Sequence, residues 1–439
     1  MSSHWVYKLI VHSKLKDKLL LTYGTNGFSL PSYEPELAHV AVVGHINEFL
    51  KEHFQLKTNV LRCYRQLENI RIYEVEILEE GNAQSANHVW LSLSQSSDLK
   101  KLNSDDQTIL KTWMATQRSA EIPWFHEGWR DQMERWAANV LSNSSLAFAQ
   151  IRSWERSALF RIVSDTQNYY FKAVPDVFDH EPLLSDYLFQ HYPLYVPEIV
   201  QIEPNKNWYL MREIQGSLLG KTEKIAYWRQ AIEQLAVMQK QSTFHIDELR
   251  KRSCPVRPVA KVIKSYVKPS LDGLYGSHQI SRETYQKLNS SIPTIINICD
   301  KVEKSNIPLA LEHGDFFGGN IIVQKGQLVI YDWSDCTLSH PFLSIMVILK
   351  EVEQLFSVEV AQVLLNDYLE KWSVFDSKSH LIEEYNRMKA IAPVYYLTVY
   401  QTFIFPAFND NWDKQQIIEG YIMEWLTMPF YKSRHNNRW

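Results

Sequence analysis

The sequence is poor in cysteine and glycine, and it has no apolar run of membrane-spanning length. Its four cysteines, Cys63, Cys254, Cys299 and Cys336, are scattered, with no CxxC pair and no histidines at zinc-finger spacing. That excludes a disulfide framework and a structural zinc site. Only 14 of 439 residues are glycine, and neither an internal repeat nor a low-complexity tract is present. The first stretch, MSSHWVYKLIVHSKLKDK, is too charged and its apolar part too short for a signal peptide, so a soluble, cytoplasmic protein is expected. There is no excess of either charge: 46 Lys and Arg face 50 Asp and Glu, for a formal charge of -4. Such a balance gives no general pull toward nucleic acid or a membrane surface, so an anionic ligand has to be held by a local site.

What is present is a packable chain. With 45% apolar and 22% charged residues it has the composition of a globular protein, and its length exceeds what one hydrophobic core usually serves. Alternating strands around 5–11, 18–23, 60–66, 71–77 and 88–93 and helices around 38–53 and 104–115 predict a small α/β domain over 1–115, with a polar loop at 80–87. A linker and docking helix follow over 116–145, where Trp129, Met133, Trp136 and Val140 recur at helical spacing as a stripe to be buried. Short strands then occupy 146–213 around one helix near 181–191, as a five-stranded antiparallel lobe. Helical periodicity dominates 214–439, interrupted by two short strands at 320–324 and 328–332. The expected class is α+β and bilobal, a small β lobe followed by a large helical lobe.

Inside the helical half lies His313-Gly314-Asp315-Phe316-Phe317-Gly318-Gly319-Asn320, and twelve residues after the Asn comes Asp332, in Tyr331-Asp332-Trp333-Ser334. Phosphoryl transfer from a nucleotide needs such a set. One carboxylate accepts the proton of the attacking hydroxyl, while an amide oxygen and a second carboxylate hold the magnesium that bridges the phosphates. Asp315 is the expected base, and Asn320 and Asp332 are the expected metal ligands. The hairpin between them carries the second Asp back beside the first loop.

These motifs resemble the aminoglycoside phosphotransferase family, which groups with choline and homoserine kinases and, more distantly, protein kinases. His-Gly-Asp-x-x-x-x-Asn followed by Asp-Trp-Ser matches its catalytic and metal-binding loops, and His340-Pro341-Phe342 opening the next helix also fits. The resemblance covers about 145–430 and implies a kinase-like fold, ATP and Mg2+ as cofactors, and a small-molecule hydroxyl as acceptor. It further implies that Lys172 contacts the nucleotide phosphates and is steadied by Glu181, with Asp179 and Asp186 as competing partners. Met211 and Glu213 would line the base pocket, mainly through their backbone. The segment before the Lys departs from protein kinases. Arg152-Ser153-Trp154-Glu155-Arg156-Ser157 has no glycine, and Ser153 or Ser157 would supply phosphate donors. A catalytically weak nucleotide-binding module is the alternative. Residues 1–115 faintly resemble a Nudix-like fold through Asn47-Glu48-Phe49-Leu50-Lys51-Glu52. Lys51 replaces a needed carboxylate there, which implies a degenerate accessory domain. An unrelated α/β domain with an ordinary amphipathic helix is the other reading.

Overall fold

The computed structural model describes residues 4–13, 17–24, 27–36, 38–80, 88–92, 94, 98–115, 122–409 and 414–428. Most of the polar loop expected at 80–87 and the first part of the linker, 116–121, lie outside them. The chain divides into two compact units, 1–175 and 176–439.

The first unit opens with β1 (Val6–Ser13), β2 (Lys18–Gly24), β3 (Gly27–Ser29) and β4 (Ser32–Tyr33). Then come α1 (Gly44–Phe54), β5 (Leu56–Leu67), β6 (Ile70–Glu80), β7 (His88–Leu91) and α2 (Ser104–Ala115). The strands form one sheet in the order β3-β2-β1-β6-β5, with β4 added on β1 and β7 on β2. β1 runs parallel to β6, and the other pairings are antiparallel. A helix packs on each face, which is why β1 buries residues of both orientations. Leu9 and Val11 meet Ile46 and Leu50 of α1, whereas Ile10 packs with Leu110 and Trp113 of α2.

The helix expected from residue 38 begins only at Gly44. The apolar run before it is drawn into extended pairing instead: Ser153 N–H donates to Ala41 O at 3.0 Å and Val43 N–H to Ile151 O at 3.1 Å. Tertiary pairing overrides local periodicity there.

The same unit continues with α3 (Trp129–Leu141), β8 (Ala147–Trp154), β9 (Ser157–Val163) and β10 (Tyr169–Ala173), the last three an antiparallel meander. Of the α3 stripe, Trp129 and Met133 are buried as the spacing predicts, whereas Trp136 and Val140 are half-buried. Trp129 and Trp136 lie edge-on to Phe171 of β10, at 6.0 and 5.8 Å between ring centroids. Arg130, buried beside them, donates to Thr58 O and to Phe148 O, each at 3.1 Å, and so ties β5 to β8.

The second unit starts with α4 (His180–His191), the hairpin β11 (Ile199–Glu203) and β12 (Trp208–Arg212), and the short β13 (Ser217–Leu218). Four helices follow: α5 (Ile225–Ser242), α6 (Ile246–Lys251), α7 (Val259–Gly276) and α8 (Arg282–Val302). β14 (Ala310–Glu312), β15 (Ile321–Gln324), β16 (Gln327–Ile330) and β17 (Thr337–Ser339) carry the motif region. The unit closes with α9 (Phe342–Leu355), α10 (Val358–Glu370), α11 (Lys378–Val399) and α12 (Lys414–Leu426). β15 and β16 turn through Lys325 and Gly326, at φ +50° and +84°, a two-residue turn whose hand matches the strand twist. One core, including Trp228, Phe316, Trp333, Phe342 and Trp372, holds helices and motif strands together. Among the described residues no helix is long and apolar enough to cross a membrane.

Candidate active site

β14 delivers the chain to Asp315 through a turn only glycine can make. Gly314 sits at φ +84°, and a methyl there would come within 2.3 Å of Asp335 O. The buried Glu312 accepts from Gly314 N–H at 2.9 Å and from the Ser344 hydroxyl at 3.1 Å, and Thr337 Oγ1 lies 3.3 Å from its other oxygen. Burial pushes its carboxyl up to about 7.

His313 ties the segment of Asp315 to the segment of Asp332. Its Nδ1 accepts from Asp315 N–H at 3.3 Å, so the proton resides on Nε2, which donates to Tyr331 O at 3.2 Å. Burial lowers its pKa to about 4, and the ring is the neutral spacer this geometry needs. Gly318 N–H is held by Glu351 Oε2 at 2.6 Å, and Tyr331 donates its amide to Asn320 O at 3.1 Å.

The predicted trio is thereby assembled. Asn320 Nδ2 donates to Asp315 O at 2.9 Å and to Asp315 Oδ2 at 3.0 Å, which leaves the amide oxygen as the end available to a cation. Asp332 has φ +64°, a conformation rare for residues with a side chain and concentrated at functional sites. Ser334 Oγ donates to Asp332 Oδ1 at 3.1 Å. The side chain of Asp315 reaches solvent, yet the protein around it displaces much of the nearby water. That desolvation, with the carboxylates of Asp335 and Asp332, pushes it up to about 7.

Asp315 is thus a carboxylate whose proton affinity two neighbouring carboxylates raise, a setting that a nearby cation would relieve. Among the described residues no cluster of three or more His, Cys, Asp or Glu could ligate one ion. Magnesium fits that arrangement, since it is usually held by one or two carboxylates with substrate phosphates and water.

The other expected residues are distributed over both units. In the first, Lys172 is buried on β10. Ser153 does not offer the donors expected of it: its hydroxyl donates to Leu61 O at 2.6 Å and its amide to Ala41 O. In the second, Glu181 lies in the first turn of α4, fully buried, and accepts from Tyr209 OH at 3.0 Å. Met211 is the penultimate residue of β12 and is half-buried, and Glu213, just beyond the end of the strand, is half-buried too. On α11, Arg387 bonds the carboxylates of both Glu383 and Glu384, and His340 lies 3.3 Å from Glu384. Glu312, Asp335, Ser344 and Glu351 were not singled out from the sequence. Asp335 alone carried a signal, three residues after Asp332.

The comparisons concern the family and the fold. The model of the phosphotransferase enzyme family (APH) matches residues 148–377, more than half of the chain. Among solved structures, a choline kinase from Cryptosporidium parvum Iowa II is similar at TM-score 0.50 and 14% identity, over 70% of this chain and 93% of its own. A Plasmodium vivax ethanolamine kinase aligns with 77% of this chain and 99% of its own, at 12% identity and TM-score 0.49. No curated protein matches the sequence. At such identities the structural likeness concerns the fold, which is kinase-like, and the family rests on the match across the motif region: the chain belongs to the phosphotransferase enzyme family.

Proposed function

We propose that the protein transfers the γ-phosphate of ATP to a hydroxyl of a small molecule, in a cytoplasmic setting. The observation that carries this reading is the junction of Asp315, Asn320 and Asp332, held by His313 and by Gly314. Asp315 takes the proton of the acceptor hydroxyl as its oxygen bonds to the γ-phosphorus. The bond from that phosphorus to the bridging oxygen breaks, and ADP leaves. An affinity for protons near neutrality suits a general base. Asn320, through its amide oxygen, and Asp332 hold Mg2+, which when bound supplies the positive charge that the phosphate oxygens require. Lys172 contacts the nucleotide phosphates, Glu181 steadies it, and the backbone at Met211–Glu213 borders the base. Ser153 is left out because its donors are committed.

Asp315→Asn tests the assignment. Turnover, read as ADP release against a panel of alcohols, should fall about 10²–10⁴-fold. Calorimetric affinity for Mg·ATP should stay within a small factor. Loss of nucleotide binding would instead make Asp315 a metal ligand or a structural residue. The hairpin joining β8 to β9 favours a second reading, since it lacks glycine and is pinned by its neighbours. A protein that binds Mg·ATP without turning over any alcohol would be a nucleotide-binding module.

A further inference from the structure

A cavity of about 550 Å³ lies among α9, α11 and α12, within the usual size of small-molecule sites. Tyrosines form its wall. Tyr396 and Tyr421 stack at 5.6 Å and 19°, and Tyr400 lies 6.0 Å from Tyr421. A smaller inner recess, lined by Arg257, Glu312, Gly314 and Asp335, shares Tyr396 and Tyr400 with this cavity. The two therefore run from the residue before Asp315 outward to α12. The charges of Asp335 and Asp315 are near enough to help raise the pKa of the Tyr421 phenol, after burial and Glu424.

Three features describe the occupant. First, the charged groups of the outer cavity cancel: Lys350 and Lys389 stand against Glu353 and Glu424, and Lys350 is paired with Glu424. A polycation would find no excess of carboxylates there. Second, the buried hydroxyl of Tyr396 has no hydrogen-bond partner among the described residues. Leaving such a group unmet is costly, so a polar ligand atom is the expected complement. Third, the local backbone favours open space over stability. Tyr400–Ile404 is a π-helical turn, a distortion frequent at functional sites. Gly420 lines the cavity within α12, where a side-chain carbon would meet nothing within 4 Å, although glycine in a helix interior costs about 1 kcal/mol against alanine.

We propose that this cavity is the acceptor site and that it takes an uncharged, ring-bearing alcohol of the aryl glycoside type, stacked on the tyrosines and hydrogen-bonded by the Tyr396 hydroxyl. That the ligand is an acceptor rests on the phosphotransfer reading above. That it binds here does not.

Saturation-transfer NMR without nucleotide tests the site, with salicin and arbutin as uncharged probes and kanamycin and choline as cationic ones. Transfer to the ring protons of an aryl glucoside is expected. Tyr396→Phe, which keeps the ring, should weaken that binding roughly tenfold. Gly420→Leu, which adds bulk to the cavity wall from a position where a Cβ meets nothing within 4 Å, should abolish it. Failure of both glucosides to bind, their binding unchanged by Gly420→Leu, or Gly420→Leu-sensitive binding of kanamycin or choline in their place would overturn the proposal. Titrating the same samples with Mg·ATP separates the two readings, because absent nucleotide binding would remove the phosphotransfer reading while the glycoside result still decides the site.

Discussion

The proposed chemistry rests on two stretches, the motif loops and the β8–β10 meander whose last strand carries Lys172, and they are held in opposite ways. The β8–β9 hairpin of the first unit is fixed from outside. Gln150 accepts from Val60 N–H at 2.9 Å, donates to Val60 O at 2.8 Å and accepts from Asn47 at 3.0 Å, while Ser153 bonds Leu61. The Trp124 indole donates to Trp154 O at 2.9 Å, and Arg156 lies 5.1 Å from the Trp154 ring. The loops around Asp315 and Asp332 are fixed mainly from within, by His313, Asn320 and Tyr331, which belong to the motif segments themselves, with Glu312 immediately before them and Ser344 and Glu351 of α9 bracing them from one side. A loop that must be flexible is commonly given glycine. The hairpin exchanges that freedom for an added sheet that holds it, whereas the motif loop, with three glycines, places Gly314 at its tight turn.

The largest expected effect is at that turn. Gly314→Val places a branched side chain at φ +84° and against Asp335 O. The strained backbone costs on the order of 1–3 kcal/mol before the collision is counted. Because a displacement of about 1 Å can cost 10²-fold in rate, turnover should drop by at least roughly that factor, with a lower melting temperature. Turnover within a few-fold of the parent protein would show that the loop does not depend on this turn.

Gln150→Leu attacks the other region and should act differently. It strands Val60 N–H and C=O in a buried setting, for a loss of about 2–4 kcal/mol in unfolding experiments. The motif loops keep all their own bonds, so kcat at saturating ATP should change little while KM for ATP rises. If kcat fell as far as in Gly314→Val, the distinction between the two regions would be lost.

The contrast also explains what the sequence reveals. His313, Asp315, Asn320 and Asp332 are legible because the groups that converge are close in the chain and joined by a hairpin whose turn is written in Lys325-Gly326. Gln150 reads only as a strand residue, because its partners are about ninety residues away. Ser153 looks available from its neighbours and is consumed by Leu61 for the same reason. Helix α7 carries Pro269, a residue that ordinarily interrupts helices, yet the burial of Val259, Ile263, Val267, Leu271 and Leu274 along one face holds it together. Tyr396, Tyr400 and Tyr421 carry no local signal, since only the packing of α11 against α12 makes them one wall.

The smallest expected effect is a dependence on pH that belongs to one region and not to the other. Glu312 ordinarily ionises near 4.5 and in the folded protein near about 7. Its protonated form is therefore the one the fold favours. The contribution is fully present below the unfolded value, is lost as pH rises between the two, and is gone above about pH 7, with roughly 3 kcal/mol as the upper bound. Buried His313, lowered to about 4, works in the opposite sense over part of that range, so the informative quantity is a difference between proteins. Glutamine at 312 can still accept from Gly314 N–H but cannot ionise. Urea unfolding at about pH 5 and about pH 8 should thus show Glu312→Gln losing less stability than the parent protein on going to the higher pH. Gln150→Leu, whose lost bonds are all between neutral groups, should be destabilised equally at both. Identical pH slopes for the parent and Glu312→Gln would mean that Glu312 is not the group that couples the catalytic loop to pH.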